Sequence, residues 1–218
     1  MVRFVFWGDG SDAAKSLVDK VKPLVRSTDN FNWTFIFILA VVFFVYWSQM
    51  HKKDYKAVFA GLALYGVHWL YEIMNAIIGK ASGYPLWTVS AGSTTFILLI
   101  GVSWELSMMF AIAGIISWKM MPQEQEKRTW KRKLITTGSM ALLFALFESF
   151  LAGTSNGSFL WVYKWWGVIP VFITTYVPFF LACNFVPDMK PKVRNIFLIA
   201  EWGLVALLLV ILIPCGVI

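Results

Sequence analysis

The chain has 218 residues, of which 59% are hydrophobic and 14% charged, with a formal net charge of +7. That balance excludes an ordinary water-soluble domain, whose core has no room for so much apolar surface. The cations lie between the apolar runs and form no separate basic module, so nucleic acid is not an expected partner.

Residues 1 to 31 form a polar opening segment. Its apolar piece, Val2 to Trp7, is too short for a cleavable signal and is followed by Asp9 and Asp12. From Ser11 to Arg26, Ala14, Leu17, Val18, Val21, Leu24 and Val25 recur at helical spacing, with Lys15, Lys20, Lys22 and Arg26 on the wet side. This pattern predicts an amphipathic helix, either lying at the membrane interface or capping the protein, that Pro23 kinks or ends.

Residues 32 to 218 form one transmembrane domain, because apolar runs of about 20 residues match the thickness of the hydrocarbon core. Six spans are predicted: Asn32 to Met50, Lys56 to Gly79, Ser93 to Met120, Leu134 to Gly153, Val168 to Val186 and Ile196 to Val217. An interfacial segment around Tyr84 to Gly92 leads into the third, and Pro170 and Pro178 bend the fifth. The expected fold class is therefore an all-α integral membrane protein, a bundle of about six transmembrane helices with an N-terminal interfacial amphipathic helix.

Lysine and arginine concentrate in loops 51–56, 119–133 and 188–195, which the positive-inside rule places in the cytoplasm with both termini on the opposite side. Trp87, Trp161, Trp165 and Trp166 then read as an aromatic belt at one boundary, with Trp47, Trp118 and Trp130 at the other.

Of the six glutamates, Glu72, Glu105, Glu148 and Glu201 fall inside predicted spans. A carboxylate at the membrane centre costs about 2.5 to 3.5 kcal/mol on insertion scales, so such residues face the bundle interior and tend to have a task. At 1.5 Å per residue Glu72 and Glu148 lie roughly 7 to 10 Å deep. Glu105 lies somewhat deeper, so the three can line one cavity, while Glu201 falls near the other end. His68, Glu72 and Asn75 share one helix face at i, i+4 and i+7, which suits a proton shuttle or a hydrogen-bonded seam between helices. His68, Glu72 and Glu105 are the expected catalytic residues, with Trp69, Asn75, Trp104 and Glu148 as substrate contacts, since aromatic faces beside carboxylates stabilise cations.

No metal or cofactor is expected. The single intramembrane histidine precedes its glutamate, unlike the Glu-x-x-His of di-iron bundles. Cys183 and Cys215 stand in no metal-binding spacing, and neither soluble-enzyme motifs nor a haem ligand pair is present.

The run His68-Trp69-Leu70-Tyr71-Glu72, with Glu105 in the following span, resembles the emopamil-binding (EXPERA) family of sterol isomerases over about half the chain. The resemblance implies proton addition to and removal from a ring double bond, with His68, Glu72 and Glu105 in the matching roles. Three functions stay open: an intramembrane isomerase, cyclase or binding protein for a hydrophobic sterol-like or isoprenoid lipid; an accessory subunit among other membrane subunits; and a proton-coupled transporter. The lipid bilayer is the partner common to all three.

Overall fold

The computed structural model describes residues 4–29, 31, 33–90, 95–153 and 159–218. The expected starts of the first and third spans, Asn32 and Ser93, and the predicted ends Val2 and Gly92 lie outside the described residues.

Helix α1 (Asp12–Val21) is capped by Ser11, whose side chain accepts from the Ala14 N–H at 3.2 Å. Its apolar stripe, Ala14, Val18 and Val21, is buried against the chain itself, so α1 caps the bundle. Then follow α2 (Phe35–His51), α3 (Tyr55–Ser82), α4 (Trp104–Lys119), α5 (Trp130–Ala152), α6 (Val168–Asp188) and α7 (Pro191–Leu212). Of these, α3, α5, α6 and α7 are long and apolar enough to cross a membrane, and α2 is a shorter apolar helix of 17 residues. The described residues also include four short strands, β1 (Trp87–Val89), β2 (Ile97–Leu99), β3 (Val102–Ser103) and β4 (Phe159–Trp161).

Local chemistry sets the helix ends. Asp54 caps α3 through the Ala57 N–H, and Gly83, at φ +88°, closes it in the left-handed conformation that glycine adopts freely. Pro191 opens α7 at a position where a missing N–H costs nothing.

The third predicted span departs from a continuous helix. Ile97–Leu99 and Val102–Ser103 pair as an antiparallel hairpin, and α4 begins only at Trp104, where the Ser103 side chain caps it. Non-helical backbone inside the protein is tolerated because its polar groups are satisfied there: Ile100 O accepts from the Val89 N–H at 3.2 Å and from the Thr88 hydroxyl at 3.0 Å.

Small residues bring α3 and α4 together. A methyl group on Gly114 would strike Ala60 O, so the two backbones cross in direct contact, the close approach that replaces hydrophobic driving force between helices in lipid. Tyr46 of α2 donates to Ala111 O at 2.7 Å, tying α2 to the same pair. Exposed side chains such as Phe37, Phe44, Leu143, Ile199 and Val210 form the apolar exterior of the bundle.

The two ends differ. One is closed by α1, the β-strands and the amino-terminal residues, with Trp7 bridging Gly167 and Val25 bridging Ile97. The other carries the basic loops and is organised on Asp188, which binds Lys56 at 2.8 Å, Arg128 at 3.3 Å and Lys133 at 2.7 Å.

Candidate intramembrane carboxylate site

Beneath the β1–β4 pair, α3, α4, α5 and α6 enclose a cavity of about 30 Å³. Its polar walls include His68, Glu72, Glu148 and Tyr176, and its apolar walls include Phe110 and Phe179. A water needs on the order of 10–15 Å³ by this measure, so the cavity has room for a water or two, and any larger guest must part its walls. Most of those walls are buried, but Phe147 is 45% exposed and stands between the cavity and the outside of the bundle.

Each glutamate is held by a different tryptophan. Trp87 and Trp161 lie directly opposite one another in the antiparallel β1–β4 register, so their side chains leave the same face. Trp87 Nε1 donates to both oxygens of Glu72 at 3.3 Å, and Trp161 Nε1 donates to Glu148 Oε1 at 2.5 Å. Tyr176 donates its hydroxyl proton to the second oxygen of Glu148. Both Glu148 oxygens therefore have a donor, the arrangement an ionised carboxylate wants, whereas Glu72 shares one long N–H and can itself carry a proton.

Tyr176 reaches Glu148 because α6 widens into a π-helical turn over Val171–Tyr176. Pro178 lacks the N–H that an α-helix would pair with the carbonyl of Thr174, so the regular ladder cannot run through this stretch. Thr175, on the same turn, lines the cavity with its hydroxyl unpartnered among the described residues.

His68 Nδ1 is 3.9 Å from Glu72 Oε1, one helical turn away on α3. The imidazole stacks on Phe110 at 4.2 Å, and its Nε2 has no hydrogen-bond partner among the described residues. Asn75, the third member of the stripe, lies outside the cavity. Its Oδ1 accepts from the Leu86 N–H at 2.8 Å and its Nδ2 donates to Trp87 O at 2.9 Å, so it fixes the strand that carries Trp87.

The remaining expected residues stand apart. Glu105 is not a wall of the cavity: it sits in the first turn of α4, where its carboxylate accepts from the Thr95 N–H at 2.6 Å and the helix dipole favours it. The expectation that Glu105 joins Glu72 and Glu148 fails because the hairpin starts α4 late and leaves that glutamate at the helix end. Trp104 stacks on Phe35 at 5.4 Å, and Trp69 packs against Tyr65 and His68, so neither lines the cavity. Glu201 is buried against Gly66 on α3.

The tryptophan reading also needs correction. Trp87, Trp161, Trp166 and Trp118 are at most 6% exposed, so they are internal and not boundary anchors, while Trp47, Trp130 and Trp165 are exposed. Trp118 lies under the Arg128 guanidinium at 4.8 Å. The missed residues Trp87, Trp161 and Tyr176 had one signal in the sequence: more tryptophans crowd the loops on one side than a boundary belt needs, and each indole N–H in an apolar setting wants an acceptor.

A family model described as an uncharacterized membrane protein family matches residues 15–214. The chain is also 33% identical over 169 residues to a protein of Archaeoglobus fulgidus named only as uncharacterized, a match covering 76% of this chain and 80% of that one. No solved structure matches the chain. These findings overturn the resemblance to the EXPERA sterol isomerases: neither the family model nor the archaeal relative carries any link to that family.

Proposed function

Taking as premise that the chain belongs to this uncharacterized membrane protein family, we propose that it is an intramembrane acid–base protein acting on the unsaturated end of an isoprenoid-like lipid. The single observation that carries the reading is the pair of glutamates, Glu72 and Glu148, facing one aromatic cavity and each tethered by its own tryptophan.

In this reading Glu72, as the carboxylic acid, gives its proton to one carbon of a lipid C=C bond. The π pair becomes the new C–H bond, and the adjacent carbon is left cationic. The faces of Phe110, Phe179 and Trp87 stabilise that cation. Glu148 then takes a proton from a carbon next to the cation, and the C–H pair forms a double bond at a new place, or in a ring if an internal double bond has closed on the cation first. Glu148 ends protonated and Glu72 ionised. A water in the cavity, with His68 beside Glu72, returns the proton, so no outside oxidant or reductant is needed.

Phe147 supplies the lateral gate, since it is both a wall of the cavity and exposed on the bundle's side. The lipid selects an opened state in which this ring has swung aside. The basic end of the bundle faces the cytoplasm and both termini face away from it.

The test is proton exchange. Purified protein incubated in D2O with a panel of linear polyisoprenes, squalene among them, should place deuterium in at least one, read by mass spectrometry. Glu72→Gln and Glu148→Gln should each abolish incorporation. Incorporation by both variants at the unmodified rate sinks the reading.

A further inference from the structure

A second chamber, of about 480 Å³, lies at the capped end, lined by Lys22, Arg26 and Lys80 over an apolar floor that includes Ala76, Ile100 and Val217. It shares no lining residue with the carboxylate cavity. Its volume is in the range of small-molecule sites, about 300–1,000 Å³.

The side-chain charge here is all positive. No aspartate or glutamate is among the lining residues. Lys22 is paired with Asp19 at 2.8 Å, but Lys80 has no polar partner among the described residues. Arg26 donates to the Leu98 carbonyl at 3.4 Å and to Ile218 O, an oxygen of the last residue of the sequence, at 2.9 Å, which leaves three of its five N–H donors free among the described residues. Desolvation pulls its pKa below the ordinary arginine value.

Arg26 is also held in a backbone conformation that side chains avoid. Its φ is +59°, and the conformation is pinned by its N–H donating to Ile97 O at 2.8 Å and by the Val25–Ile97 bridge. Strain of this kind persists where the surrounding structure over-determines it, and here it aims a guanidinium into a cavity.

We propose that this chamber binds the phosphate head of an anionic amphiphile. Arg26 and Lys80 grip the phosphate oxygens, the planar fork of Arg26 taking two of them. Ala76, Ile100 and Val217 receive the first methylenes of the tail, which is why an amphiphile fits better than free phosphate. The site does not depend on the acid–base reading of Glu72 and Glu148.

Three probes separate the contributions in binding titrations of the full chain in neutral detergent: dioleoyl phosphatidate, dioleoylglycerol with the same tails and no phosphate, and inorganic phosphate with no tail. Phosphatidate should bind saturably and at least about tenfold more tightly than either other probe. Arg26→Gly and Lys80→Gln should each weaken it about tenfold, the usual scale for a charge-assisted hydrogen bond. Glycine adopts a positive φ without strain, so Arg26→Gly should keep its melting temperature without lipid, and weaker binding then reports the lost guanidinium. Glu72→Gln should bind phosphatidate as the unmodified chain does. Equal binding of inorganic phosphate or of dioleoylglycerol overturns the proposal, as does unchanged phosphatidate binding by both Arg26→Gly and Lys80→Gln.

Discussion

Trp87 and Trp161 face each other across the β1–β4 pair, and each sends its indole N–H to a different buried glutamate, Trp87 to Glu72 and Trp161 to Glu148. One short two-stranded element therefore sets the positions of two carboxylates on two separate transmembrane helices. The two tethers are unequal, since the bond to Glu148 is 2.5 Å and the shared one to Glu72 is 3.3 Å.

That inequality gives a first prediction. Trp161→Phe removes a donor from a buried carboxylate and should cost about 1–3 kcal/mol, whereas Trp87→Phe, losing a longer and shared bond, should cost less. Unfolding in mild detergent measures both. In a Glu148→Gln background the penalty for Trp161→Phe should shrink, and a penalty that stays the same would mean that the indole acts only through packing.

Pro178 is predicted to maintain the Tyr176–Glu148 bond. Pro178→Ala restores an N–H to α6 and lets the π-helical turn over Val171–Tyr176 relax to α, which rotates the upstream residues by about 100° for each residue absorbed. Tyr176 then leaves Glu148. In the unmodified chain Tyr176→Phe should destabilise by about 1–3 kcal/mol; in the Pro178→Ala chain it should have almost no further effect. Additive penalties in the double variant would show that the proline does not govern this contact.

The spans were legible in the sequence because lipid imposes one length and one composition on a helix, and α3, α5, α6 and α7 obey it. The third span misled because an apolar run reads alike as a helix and as a buried hairpin. Gly101 and Ser103 were the local marks of the break, one at the tight approach to α3 and the other at the cap of α4. The His68 and Glu72 pairing followed from helical periodicity alone. The partners of Glu148 did not, since Trp161 comes from a strand and Tyr176 from a widened turn, and neither register has a periodic signature in one sequence.

Gly101 bears on the site through space. A methyl group there would come within 2.5 Å of Glu72 Oε2, Asn75 Nδ2 and Trp87 Nε1. Gly101→Ala should therefore cost about 1–3 kcal/mol as an overpacked substitution and displace Glu72. Gly138 on α5, where an added methyl meets nothing within 4 Å, is the matched control. Gly138→Ala should be neutral or stabilise by about 0.5–1 kcal/mol, since alanine is the better helix former. Denaturation midpoints of the two variants separate packing at the site from helix propensity.

At the basic end, Asp188 is the shared anion of Lys56, Arg128 and Lys133, and the Arg128 and Lys133 side chains are only 5% and 9% exposed. Asp188→Asn leaves two nearly buried cations without their counter-charge and should cost about 3–5 kcal/mol, the usual penalty for breaking a buried pair from one side. Lys56→Gln, at the most exposed of the three partners, should cost under about 1 kcal/mol. Equal penalties for the two variants would mean that the network is solvated.

The proposed sidedness rests on the same charge distribution and is tested with cysteine labelling. Cys215 is exposed near the carboxyl terminus and Cys183 is buried, so Cys215→Ser leaves a chain with no accessible thiol. Into that background go Asp12→Cys on α1, at the capped end, and Glu126→Cys in the 119–133 loop, at the basic end. In intact cells a membrane-impermeant maleimide should label position 12 and spare position 126 until the membrane is opened. The reverse pattern would invert the chain, and it would require the lysines and arginines of three loops to sit on the side of the membrane that the positive-inside rule disfavours. Labelling at both positions in intact cells would mean that the two ends are not separated by a bilayer, and the intramembrane setting of the Glu72–Glu148 cavity would fall with it.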